Sequence, residues 1–367
     1  MMVAIQLVSA EIGRVTGAGI AGNMKKYYPK WIMVSLVFLM LCANMINIGA
    51  DIAAMGEATK LILGGNALIY AVLLTLLSVL VQIFIPYRRY VSVLKWLCIV
   101  LFAYVAVVFS INVPWAEALK SAVIPSLTLS PAYLSMLIAV LGTTISPYLF
   151  FWQASEEVED EEDNPEEHPL KTSPEEAPKQ FARIRKDTII GMAFSNLIAF
   201  FIMLSTAVTL HMHGKTDIET AAQAAEALRP IAGEFSFLFF ALGIIGTGLL
   251  ALPVLAGSAA YAVSEMFGIP MGLDKKPSEA KRFYGILFSV TIAGMLLIFI
   301  GFNPIKALYW AAVINGIVAV PIMVLMMVMA SNKKVMGQFT LPPLTKSLGW
   351  ISTAVMFAAA VGLFLTL

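Results

Sequence analysis

Gly142-Thr143-Thr144-Ile145-Ser146-Pro147-Tyr148-Leu149-Phe150-Phe151-Trp152-Gln153 lies inside an apolar run over 132–153, long enough to span a bilayer as a helix. Pro147 has no N–H to donate, and its ring clashes with the carbonyl four residues earlier. A helix through this stretch must kink or break, which frees carbonyls in a medium that cannot solvate them. Such breaks are tolerated where they line a cavity or a polar site. Two readings are open. In one, the helix is only kinked, and Thr143, Thr144 or a neighbouring helix satisfies the freed carbonyls. In the other, the break is a site at mid-depth.

Composition places the rest of the chain in the same medium. Of 367 residues, 59% are hydrophobic and 13% charged, with a mean hydropathy of +0.85. Soluble domains carry about 25% charge. The chain reads as an all-α polytopic membrane protein, one transmembrane domain over 1–367 whose surroundings are the lipid bilayer. A net charge of +1 without a basic stripe gives no support to a nucleic-acid partner. Cys42 and Cys98 both fall in apolar runs, as packing residues do. The three histidines are too scattered for a metal cluster. There is no nucleophile elbow, phosphate-binding Gly-rich loop, HExxH or paired cysteine ligands, so nothing supports an enzyme or a resident cofactor.

Outward from 132–153, further complete spans are predicted at 31–63, 68–85, 91–113, 188–210, 235–267, 283–302, 305–330 and 347–367. Residues 1–10 are apolar but make only half a span before Glu11 and Arg14. They read as the second half of a helix whose first half is absent. A polar, Gly-rich connection is expected over 13–30. Threading the nine spans alternately puts all but five of the 24 Lys and Arg residues on one side, which the positive-inside tendency makes cytoplasmic. The reading is a multi-pass protein of the cell membrane with its C-terminus outside. The segment 155–186 contains Glu156-Glu157-Val158-Glu159-Asp160-Glu161-Glu162-Asp163 and is expected as an acidic, solvated, mobile cytoplasmic loop. A funnel that attracts cations is the alternative.

Ionisable groups inside a membrane are costly and point to function. Asp51 and Glu57 fall in the first complete span, and Glu265 near the end of a long one. Asn44, Asn47 and Asp51 are spaced by three and four, which stacks them on one helix face. That stripe is either an ion pathway or interhelical hydrogen-bonding glue. Pro253 interrupts another span, and Asn315-Gly316 with Pro321 a third. Asn315 either offers its carbonyl to an ion or caps a local break.

Taken together, Glu11-Ile12-Gly13-Arg14-Val15-Thr16-Gly17, the stretch from Asn44 to Glu57, the 142–153 segment and the stretch from Ala311 to Pro321 resemble the Nramp superfamily of divalent-metal transporters. The likeness is greatest to its Nramp-related magnesium-transporter branch and covers essentially the whole chain. The resemblance implies a LeuT-like inverted repeat in which the first and sixth helices are broken at the midplane and hold the metal. By position, 142–153 is similar to the broken sixth helix, where metal-selective members carry Ala-x-x-Met-Pro-His. Thr143 stands where that alanine offers its carbonyl, Ser146 where the methionine offers a thioether, and Tyr148 where the histidine lies. A thioether is a soft ligand suited to transition metals, whereas hydroxyl and backbone oxygens suit Mg²⁺ and Mn²⁺. The family's Asp-x-x-Glu pair is represented by Asp51 and Ala54, so proton coupling loses support and passive uniport is expected. The Asp-Pro-Gly motif of the first helix is not found. The expectation is a fold lacking the first transmembrane helix and part of the second.

The implied function is transport of divalent cations, Mg²⁺ first and Mn²⁺ second, at a site using Thr143 and Ser146. Pro147, Tyr148, Asn44, Asn47, Asp51, Glu57 and Asn315 would support the site or its pathway. The rivals are a proton-coupled Mn²⁺/Fe²⁺ symporter, a non-transporting remnant or membrane subunit that binds a partner, and an organic-substrate permease.

Overall fold

The computed structural model describes every residue except 86–88, 90, 91, 93, 94, 125–127, 129, 165 and 367. The main helices are α1 (Met2–Thr16), α2 (Ile20–Tyr27), α3 (Lys30–Leu63), α4 (Ala67–Phe84), α5 (Phe102–Ser110), α6 (Trp115–Val123), α7 (Pro131–Thr144), α8 (Pro147–Glu162), α9 (Ala177–Thr209), α10 (Ser236–Phe267), α11 (Lys281–Leu297), α12 (Pro304–Ala330) and α13 (Pro343–Thr366). The described residues contain no strand. Among the described residues, eight stretches are long and apolar enough to cross a bilayer, α7 with α8 counting as one. The ninth expected span, starting at Val91, begins outside the described residues. Its described part is a 3-10 turn, Leu97–Leu101, leading into α5, after which the chain bends by 119° into α6. Pro114 sits at that bend and disfavours helix in the residue before it.

The helices differ in depth. α12 buries 67% of its most apolar stretch and α9 only 17%, so α12 is central and α9 faces lipid. α3 has 34 residues, about 51 Å of helix at ~1.5 Å per residue. That exceeds a ~30 Å hydrocarbon core, so α3 tilts or protrudes. Pro253 and Pro321 both lie inside continuous helices.

α1 is buried from Ala4 to Val15, including Gln6, Ser9, Glu11 and Arg14. It lies against α8. Gln6 Nε2 donates to Leu149 O at 3.1 Å, and the Ser9 hydroxyl donates to Phe150 O. Gly13 makes this approach possible, because a Cβ there would stand 2.2 Å from Ala154 O. The connection expected over 13–30 is mostly helical. α1 runs to Thr16, and α2 follows after three residues. Glu265 organises it: its carboxylate accepts from Gly19 N at 2.6 Å and Gly22 N at 2.9 Å. These N–H groups belong to the start of α2, where an anion is favoured. Glu265 is therefore a buried cap of α2.

The acidic segment 155–186 is not a mobile loop. α8 continues through Glu162 and α9 begins at Ala177, with only a turn-rich connection between. Repulsion along the run is offset by partners from other elements. Glu157 pairs with Arg183 at 2.5 Å and Glu162 with Lys275 at 3.2 Å. Glu159 accepts from the Tyr261 hydroxyl, and from Asp274 N at 2.7 Å. Arg14, fully buried on α1, pairs with Glu167 at 2.5 Å.

Candidate functional site

The break falls where the proline requires it. α7 ends at Thr144 and α8 starts at Pro147, with Ile145 (φ −113°, ψ 70°) and Ser146 (φ −92°, ψ 137°) between them. Pro147 takes the first helical position of α8, where a missing N–H costs nothing. Local hydroxyls close the end that α7 leaves. Ser146 Oγ donates to Gly142 O at 2.6 Å, and Thr144 Oγ1 to Val140 O and Leu141 O at 3.0 Å. Thr143 O has a longer contact, 3.4 Å, from Ser146 Oγ. Carbonyl capping and an open site thus coexist. Ser146 spends its proton on Gly142 O and keeps its oxygen lone pairs.

Ser146 is among the residues that line a cavity of about 340 Å³. Asn47 and Asp51 enter its wall from α3, Thr143, Ser146 and Tyr148 from the break, Thr247 from α10 and Asn315 from α12. Among the described lining residues the polar atoms are oxygens and amide nitrogens, without sulfur or imidazole. Asp51 is the one carboxylate among them, half-buried and without a hydrogen bond or ion pair to any described residue. Asn47 and Asn315 exchange amide hydrogen bonds of 2.9 and 3.1 Å between α3 and α12. Each amide oxygen accepts one of these and retains a second lone pair. α12 stays continuous at Asn315, so this side chain caps no break.

Gly142 fixes the distance between the break and α12. A Cβ on it would lie 2.1 Å from Ala312 O and 2.5 Å from Gly316 N. Small residues on both helices let the two backbones meet.

The expected polar stripe divides. Asn47 and Asp51 reach the cavity, whereas Asn44 is fully buried and donates to Leu255 O at 2.8 Å and Ser258 Oγ at 2.9 Å. Asn44 acts as glue between α3 and α10. Glu57 lies apart, on a second cavity further along α3, and pairs with Lys60 at 3.4 Å. Thr247 was not anticipated. Its signal is the small-residue stretch Gly243 to Gly248, in which Thr247 Oγ1 is bonded to Gly243 O at 2.7 Å.

A family model described as natural resistance-associated macrophage protein-like, Nramp, matches residues 1–366. Solved structures of a manganese transporter of Eremococcus coleocola are similar in fold. A mutant form is 14% identical, with a TM-score of 0.75, and the match covers 98% of this chain and 76% of that one. A complex of the transporter with an aromatic bis-isothiourea substituted compound is 15% identical, with a TM-score of 0.76 and the same coverage. At such identity the likeness carries the fold, that of a LeuT-like transporter, while the match over residues 1–366 carries the kinship: the chain belongs to the Nramp family.

Proposed function

We propose that the chain moves divalent cations across the cell membrane through the cavity at the 142–153 break, with Mg²⁺ the preferred cargo and Mn²⁺ accepted. The observation that carries this reading is the donor set. One carboxylate, from Asp51, faces neutral oxygens from Thr143, Ser146, Asn47 and Asn315. Hard oxygen donors suit Mg²⁺ and Mn²⁺, and the absence of a soft donor among the described lining residues removes a preference for later transition metals. Mg²⁺ sheds water reluctantly, and about 340 Å³ leaves room for part of its hydration shell. The C-terminal end of α7 presents the negative end of a half-helix to the same space. Family membership and manganese-transporting structural neighbours favour the same cargo class.

Cation and carboxylate explain each other here. An unpaired charge in a membrane interior is costly, and a transported dication would supply the missing partner. Tyr148 and Ala54 stand where a proton relay would need His and Glu, so we read the movement as uniport. The partner-subunit reading is weakened by the polar stripe, which faces α10 and α12 inside the bundle. We place the end of the bundle bearing Arg14 and the acidic turns in the cytoplasm, on the distribution of Lys and Arg.

The test is reconstitution in liposomes with dyes for Mg²⁺, Mn²⁺ and pH. Saturable uptake of both cations without acidification is expected, with Mg²⁺ preferred. Failure with both ions, for this chain and for one extended upstream of Met1, would sink the cargo assignment. Metal-driven acidification would replace uniport with symport.

A further inference from the structure

The second cavity, of about 240 Å³, opens near the end of α3 away from Lys30. Ala54, Ile244 and Leu308 line both it and the central cavity, so the two adjoin. Its charged lining is Glu57, Lys60 and Glu219. Two ion pairs organise this mouth. Lys60 Nζ lies 3.4 Å from Glu57, and Lys306 Nζ lies 3.1 Å from Glu219. The Glu219 carbonyl also accepts from Asn303 Nδ2 at 3.0 Å, which ties the segment before α10 to the start of α12. All four charged side chains are at least one-third exposed, so the pairs contribute little to stability. Their placement is the informative part. Lysines at the mouth of a cation route would repel the cargo unless each is masked.

We propose that this cavity is the antechamber through which a cation reaches Asp51, and that Glu57 and Glu219 are specificity-determining residues that mask Lys60 and Lys306. The proposal rests on the cation-transport reading. A dication feels each unmasked lysine with twice the energy of a monovalent ion, and salt screens the effect. Glu57→Gln or Glu219→Gln therefore raises KM for Mg²⁺ or Mn²⁺ by about 3- to 10-fold at low ionic strength, with kcat held. Lys306→Met lowers KM. The double variant E219Q/K306M returns near the parent value, as expected when one member of a pair acts only through the other.

The experiment reads the field with and without transport. In the full chain with Cys42→Ala and Cys98→Ala, Thr143→Cys places a thiol in the central cavity. Its labelling rates by a cationic and an anionic methanethiosulfonate reagent are then compared. The expected result is a cationic-to-anionic ratio that falls about 3- to 10-fold in E57Q or E219Q. It should rise in K306M, recover in E219Q/K306M, and lose these differences in about 1 M salt, where charges a few ångströms apart are already screened. A ratio indifferent to all of these variants would overturn the proposal, even if cation uptake is normal. So would a double variant worse than E219Q, which would mean that the pair only fastens the segment. Shifted ratios together with no uptake of either cation by the parent chain, which keeps Thr143, would leave the antechamber standing and remove the cargo assignment instead.

Discussion

The two ends of α8 meet carboxylates in opposite ways. Beside the break stands one carboxylate, Asp51 of α3, and it has no partner among the described residues. At the far end of α8 there is a run of carboxylates, and those of Glu157, Glu159, Glu162 and neighbouring Glu167 are each held by a cation, a hydroxyl or a backbone N–H. At the acidic end these carboxylates fasten elements together, whereas the unpartnered Asp51 is the group on which the proposed site rests. The acidic end locks α8 to α1, α9 and the α10–α11 connection, while the break leaves room for something that arrives from outside.

Arg14→Met should break the fastening most severely. Its guanidinium is fully buried while Glu167 is partly exposed, and losing this charge-assisted contact costs about 1.5–3 kcal/mol. Thermal unfolding in detergent should show that loss, with cation selectivity unchanged in whatever protein folds. Asp51→Asn should do the reverse. Uptake is expected to fall on the order of 100-fold, in keeping with the roughly 2–3 kcal/mol of a charge-assisted contact. Its unfolding temperature should hold or rise, since an unpaired charge is removed. Equal damage to stability and uptake in both variants would erase the contrast.

Gly142→Ala tests whether the break depends on its neighbour. The new methyl meets backbone at Ala312 and Gly316, which cannot swing aside. A loss of about 1–3 kcal/mol is expected from such overpacking, together with impaired uptake because α7 and α12 frame the cavity. Ser146→Met has a smaller effect, read in selectivity. It puts a soft thioether in place of a hydroxyl, and preference for Mn²⁺ or Cd²⁺ over Mg²⁺ should rise by about 10-fold in competition uptake. An unchanged preference would take Ser146 out of the site.

The smallest effect is a pH dependence at the fastened end. Partial burial pushes the Glu167 carboxyl up, but the hydrogen bond and charge of Arg14 outweigh it and hold the group below the usual carboxylate range. A lowered folded pKa means that the stabilisation is present above the unfolded value and fades as pH falls through the folded one. Stability should therefore decline modestly on acidification below the ordinary carboxylate range, and less steeply in Glu167→Gln. A steeper decline in that variant would contradict the assignment.

The fold was legible because lipid makes strong demands on sequence. Apolar runs gave eight of the crossings, and Pro147 located the break to the residue. The 142–153 stretch also drew in Asn47, Asp51 and Asn315, which the structure brings to one cavity. Three things were not legible. The division of the stripe depends on α10, since Asn44 finds Leu255 O and Ser258 only when that helix packs against α3. The acidic run looks disordered in isolation because its partners, from Arg14 to Lys275, are scattered along the chain. Glu265 at the start of α2 pairs groups about 240 residues apart, and no local pattern reports such a contact.

The most direct test of the account is equilibrium binding of Mn²⁺ to the purified chain, followed by electron paramagnetic resonance and competed with Mg²⁺. The account predicts saturable binding that Mg²⁺ displaces, greatly weakened in Asp51→Asn and retained in Asn44→Ala. Binding that survives Asp51→Asn unchanged, or that Mg²⁺ fails to displace, would contradict an all-oxygen dication site at the break.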